Sequence, residues 1–288
     1  MNVSRPSRRR FLAGLGTAGS FSVGGDVASK TGTTATLQVR VYPGPTPSSV
    51  RTAYGWSRVH LEASFAVYRA LWSLARYAED HGAVDQVGVS VEPMAPIQSD
   101  PGREPQDVVL DAFHDEIHDR GSTAVDCCHL LLWWDPWNHE LGYGGVRWPN
   151  NHVGKKDDEG SQTVANVGAT EAWDSRAVTN NMAIHEVLHT FLSTDVVREV
   201  TETGCDHDLG SAVRTDRGTL RVSPIATAYA GPDRVGGGTR FHGTGCYDHE
   251  SFYRHDGYDD GSGFEYTAEL SGGVLEAATH YIDRYLAE

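Results

Sequence analysis

The chain has 288 residues, with 24 Lys+Arg against 39 Asp+Glu and a formal net charge of -15. So acidic a surface excludes a nucleic-acid binder, because phosphate contacts need basic side chains and supply most of the affinity. Hydrophobic residues make up 39% of the chain, enough to bury a core and too many for a disordered protein.

The first feature in chain order is an address. Ser7-Arg8-Arg9-Arg10-Phe11-Leu12 precedes a mildly apolar stretch, Ala13 to Val23, too short to span a bilayer. Paired arginines before Phe-Leu form the pattern of a twin-arginine export signal. Residues 1–30 are therefore expected to be a signal peptide, with Val27-Ala28-Ser29 offering a cleavage point, and the remainder to be extracellular or at the cell surface. Losing that leader removes Arg5, Arg8, Arg9, Arg10 and Asp26, so the mature chain is more acidic still. Only Lys30, Lys155 and Lys156 are lysines, a bias that suits either a halophilic-type acidic protein or a simply acidic surface. No later apolar run is long enough to span a membrane.

Leu37 to Tyr42 alternates polar and apolar residues and stops at Pro43-Gly44, which predicts a strand. Leu61, Phe65, Tyr68, Trp72 and Ala75 recur at helical spacing and predict an amphipathic helix over residues 58–80. A strand follows over 86–91, a helix over 107–118, a buried central strand over 125–134 and a short strand over 163–167. One helix is expected over 174–192, then irregular Gly- and Asp-rich sequence to Gly273, then a final helix marked by Val274, Leu275, Ala278, Ile282 and Leu286. Alternating β and α elements predict an α/β (α+β) layer of helices on a twisted mixed sheet. Residues 37–288 form the expected main domain, with an N-terminal lobe over 37–192 and a C-terminal lobe over 193–288.

Four cysteines are present. In an exported protein Cys205 and Cys246 are the candidate disulfide, while Cys127 and Cys128, neighbours in an apolar run, read as buried thiols. Trp133-Trp134-Asp135-Pro136-Trp137 reads as core packing at a strand end, the other use being the lining of a cleft.

The chemistry concentrates in His185-Glu186-Val187-Leu188-His189, an HExxH within an expected helix. Four residues is just over one helical turn, so both imidazoles leave the same face and can share one metal ion. Glu186, about 100° around the helix, reaches a water there without being a ligand. Zinc held by two histidines and a third ligand keeps one position for water and lowers its pKa toward about 7, where a carboxylate can take the proton. His114-Asp115-Glu116-Ile117-His118 has the same His spacing with the glutamate misplaced among acidic neighbours, and reads as a solvated helix face. The loop from His242 to Gly263, with His249, His255, Asp256, Asp259 and Asp260, suits either Ca2+ or plain solvation.

The segment from His185 to Asp195 resembles the metzincin motif HExxHxxGxxH, with Leu192 at the glycine position and Asp195 at the third-ligand position. The favoured third ligand is instead His207, delivered by Cys205-Asp206-His207-Asp208, with Asp206 or Asp208 orienting its ring. Asp195 is the alternative, and Glu199 or Glu202 would make the site similar to the gluzincins. Ser223-Pro224-Ile225-Ala226-Thr227-Ala228-Tyr229 is similar to the family's Met-containing turn, with Ile225 in place of Met. The resemblance implies a zincin-like fold with an active-site helix, a Zn2+ cofactor, a peptide or protein substrate, Glu186 as general base and Tyr229 as oxyanion stabiliser. The rival expectations are an inactive secreted zinc-binding protein and a hydrolase of non-peptide amides or esters.

Overall fold

The computed structural model describes residues 21–22, 32–47, 49, 55–148, 152–155, 160–229, 251–257 and 263–288. The expected leader therefore falls outside the described residues, except for Phe21–Ser22 (β1), a two-residue edge strand. Among the described residues no helix is long and apolar enough to cross a membrane.

The chain is a mixed α/β protein. Thr34–Pro43 (β2), Gln86–Pro93 (β3), Cys128–Trp133 (β4) and Ser161–Asn166 (β6) run parallel. Gly144–Val146 (β5) closes one edge antiparallel to β6, and β1 the other edge antiparallel to β3. Parallel strands need crossovers, and the expected helices supply them as Arg58–His81 (α1) and Gln106–Asp119 (α2). Alternation divides β4 between two cores: Leu130 and Leu132 pack with α1, and Leu131 and Trp133 pack with α2 through Val109, Leu110, Phe113 and Ile117. All six β4 residues are buried, as a central strand covered on both faces requires.

The helix expected over 174–192 is a helix followed by a 3-10 turn, and a separate short helix that was not expected precedes it. Val167–Trp173 (α3) is capped by the Asn166 side chain, and Arg176–Leu188 (α4) by Ser175, whose hydroxyl accepts from the Val178 N–H. Each cap satisfies an N–H that its first turn leaves open, so two starts are favoured over one continuous helix. A 3-10 turn, His189–Phe191, then carries the chain to Leu192. Leu192 adopts φ -125° and ψ 74°, a break at negative φ that needs no glycine. Thr194–Val200 (α5) follows.

The C-terminal portion, expected to be irregular, holds a second sheet. Ser211–Arg214 (β7), Leu220–Val222 (β8), Arg254–His255 (β9) and Phe264–Tyr266 (β10) order as β10-β8-β7-β9. Asn181 ties this sheet to α4, donating to the carbonyls of Val222 at 3.3 Å and Thr267 at 2.7 Å. The final helix, Gly272–Tyr281 (α6), packs on α1 and α5 and continues as a π turn, Ile282–Leu286. From there the chain returns to the first long strand: the Glu288 N–H donates to the Thr34 carbonyl at 2.8 Å.

Candidate metal centre

Three elements bring three imidazoles together. His185 lies in the last turn of α4, His189 one turn on, and His207 in a 3-10 turn, Asp206–Leu209. Ring centroids are 4.7 Å apart for His185 and His189, 5.2 Å for His185 and His207, and 4.9 Å for His189 and His207. One ligand atom from each lies within 4.8 Å of the others, a donor set that could hold a metal ion.

Their supports fix which nitrogen faces inward. The Nδ1 of His185 donates to the Pro224 carbonyl at 2.8 Å, and the Nδ1 of His189 donates to Asp206 Oδ2 at 2.5 Å. In both rings Nε2 is thereby left as the atom to meet a cation. Pro224 opens the turn Pro224–Tyr229, the segment similar to the Met-containing turn, and Ile225 there is fully buried in the main core.

Glu186 is 2% exposed, and its Oε2 has no hydrogen-bond partner among the described residues. Leaving a buried carboxylate oxygen unpaired is costly. Burial pushes the Glu186 carboxyl up to about 8, against the pull of His189. Burial also lowers His185 well below its ordinary value and His207 to about 4, each helped by the charge on His189. At His189 burial works downward, but the charge and hydrogen bond of Asp206 carry it up to about 9. Burial would raise Asp206 too; His189, His207 and His185 hold it well below the carboxylate range instead.

Above the glutamate lies β5. A Cβ on Gly144 would stand 2.4 Å from the Val164 carbonyl oxygen and 2.5 Å from Glu186 Oε1, so only glycine lets the edge strand approach this closely. Asn166 secures the preceding loop, donating to the carbonyls of Asp135 at 2.9 Å and Gly142 at 3.1 Å. No sequence reading singled out β5, since Gly144-Gly145 shows neither alternation nor a strand-forming residue.

Other expected sites lie elsewhere. Asp195 stands apart from the histidine cluster: Lys155 reaches it at 3.1 Å, Arg284 at 2.8 Å, Ser193 at 2.6 Å and the Tyr285 hydroxyl at 2.5 Å. Its position in the first turn of α5 turns it toward the C-terminal segment. Glu199 pairs with Arg284 at 2.6 Å, and Glu202 is exposed. Cys205 is disulfide-bonded, which withholds its sulfur from a metal; its expected partner Cys246 lies outside the described residues. Cys127 and Cys128 are buried free thiols. The Tyr229 side chain lies outside the described residues. Around the candidate Ca2+ loop, Asp256 is paired with Arg254 at 3.0 Å, and His249, Asp259 and Asp260 lie outside the described residues.

Two surface readings are corrected. His118 is solvated but His114 is buried at 8% exposure, because its position on α2 turns it under the helix beside Phe113 and Ile117. Of the tryptophans, Trp133 is core, whereas Trp137 is 51% exposed and packs edge-on to Trp173 with centroids 4.9 Å apart. A Pro136-Trp137 turn beyond the end of β4 carries that ring out of the core.

No protein-family model matches the sequence, and no curated protein matches it. Among solved structures the chain is similar to metalloproteinase-II from Bacteroides fragilis, with a TM-score of 0.36 and 14% identity over 55% of this chain and 42% of that one. It is also similar to a chain in the structure of a chaperone-substrate complex, with a TM-score of 0.38 and 13% identity over 88% of this chain. The chain spans 42% and 36% of the lengths of those two.

Proposed function

We propose that this protein is an exported zinc-dependent metallopeptidase with His185, His189 and His207 as ligands and Glu186 as general base. One observation carries the reading: an unpartnered, buried carboxylate oxygen adjoins three clustered imidazoles. Two of those rings have Nδ1 already committed to a backbone carbonyl or a carboxylate, the support that zinc-ligating histidines ordinarily have. Zinc bound there supplies Lewis acidity, acidifying water and polarising a substrate carbonyl. Glu186 does the proton work: Oε2 takes the proton from the attacking water and passes it to the leaving nitrogen. A carboxyl whose affinity for protons is raised toward neutrality suits both halves of that transfer. The edge strand β5 offers backbone against which an extended peptide can pair, and Gly144 holds it close enough to place the scissile bond over Glu186. Tyr229 is assigned to oxyanion stabilisation and residues 1–30 to twin-arginine export, both from the sequence patterns described above.

Metal analysis of the purified protein, with a quenched-fluorescent peptide library, tests this reading. One zinc per chain and peptide cleavage abolished by a chelator are expected. One zinc with no turnover would favour the binding-protein reading, and cleavage confined to esters or small amides would favour the other hydrolase. A chain that takes up no divalent metal would sink all three.

Gly144→Ala gives a sharper check on β5. The added methyl must displace either the strand or the Glu186 carboxylate, so kcat/KM is expected to fall about tenfold to a hundredfold while zinc stays bound. Unchanged kcat/KM would remove β5 from the active site.

A further inference from the structure

We propose that Asp206 is a positioning residue that clamps two of the three imidazoles with one carboxylate, so that the divalent-cation affinity of the site depends on it. The proposal rests on reading His185, His189 and His207 as ligands. Asp206 Oδ2 lies 2.5 Å from His189 Nδ1, and Oδ1 lies 3.5 Å from His207 Nδ1. One side chain thus links the ligand carried by the helix to the ligand carried by a loop. His185 has separate support in the Pro224 carbonyl.

The turn that bears Asp206 and His207 is itself fixed. The Asp208 N–H donates to the Cys205 carbonyl at 3.1 Å, the Gly210 N–H to the His207 carbonyl at 2.9 Å, and Cys205 is disulfide-bonded. Adjacent residues on such a turn move as one body, so holding Asp206 on His189 also holds His207 in place. Asp208, the other acidic neighbour, turns Oδ2 to the Thr203 hydroxyl, from which it accepts. The clamp does two physical things. It fixes the tautomer that presents Nε2 of His189, and it places a negative charge behind two rings that must share a cation. A loop-borne ligand loses more freedom on binding than a helix-borne one, and the clamp removes that cost in advance.

Asp206→Asn keeps the shape and removes the charge. In competition with a chromogenic chelator, its Zn2+ affinity is expected to fall about tenfold to a hundredfold relative to the wild-type protein. The Co2+ absorption bands of the loaded variant are expected to shift, a readout that a general loss of stability would not move. Asp208→Asn is the control, expected to bind within about threefold of wild type because its carboxylate faces Thr203. Equal losses in both variants would assign the effect to the turn as a whole and overturn the clamp. So would Asp206→Asn affinity within about twofold of wild type together with unshifted Co2+ bands. Should Asp206→Asn fail to fold, Asp206→Glu retains the charge on a longer arm; shifted Co2+ bands support the clamp, and bands and affinity identical to wild type overturn it. A wild-type chain that binds neither Zn2+ nor Co2+ would instead refute the ligand reading on which the clamp depends.

Discussion

Glu186→Gln is expected to leave zinc bound and to lower peptide hydrolysis by about two to four orders of magnitude, the range for losing a positioned general base. The substitution is nearly isosteric, so packing beneath Gly144 is preserved and a loss of rate cannot be attributed to a disturbed core. The amide can still point an oxygen or a nitrogen toward the position of Oε2, but it cannot carry a proton from water to the leaving amine. Parallel measurement of zinc content and kcat decides the matter. Retained hydrolysis with full zinc content would remove Glu186 from the mechanism. Loss of both would show that its role is to hold the cluster together.

The second large effect concerns the third ligand. His207→Ala is expected to weaken zinc binding at least about a hundredfold, since a total of roughly 10–16 kcal/mol is shared among few coordination bonds. Asp195→Ala is expected to leave zinc affinity within about threefold and to cost about 1 kcal/mol of stability, because its partners Lys155, Arg284 and Tyr285 form an exposed network. Zinc titration and urea denaturation of the two variants separate the roles. The opposite pattern, with zinc lost in Asp195→Ala and retained in His207→Ala, would return the ligand position to the one that direct motif spacing indicates.

How much of this was legible depends on how local each signal is. The long strands and α1 announce themselves within a single window: alternation in Leu37 to Tyr42, and helical spacing from Leu61 to Ala75, each set by the face that must be buried. The HExxH helix was legible through His185, Glu186 and His189, and so was its start, expected at Asp174 and observed at Arg176. What the sequence did not show is the short helix Val167–Trp173 before it, whose cap, Asn166, falls within the stretch expected as a strand over 163–167. The second sheet escaped because its strands run to two, three or four residues, and their pairing is specified by contacts remote in sequence. β5 escaped for the same reason, and so did the reach of Asp206 to His189, since its carboxylate was expected only behind His207. A glycine pair and an Asp beside a His acquire meaning only when the chain folds them against Glu186 and His189. His114 shows the converse: a sequence neighbourhood crowded with acids does not prevent burial when the helix face beneath is apolar.

The conformation of Leu192 bears on how such centres are found in other chains. A search pattern demanding glycine three positions after the second histidine encodes one way of leaving a helix, a turn through positive φ. Here the exit stays at negative φ, open to any bulky apolar residue, and the third imidazole arrives from a turn beyond an inserted helix. Fixed spacing would pass over this arrangement entirely. A spacing-free criterion would retrieve it: HExxH on a buried helix, a later His beside an Asp, and a nearby cysteine to anchor that turn.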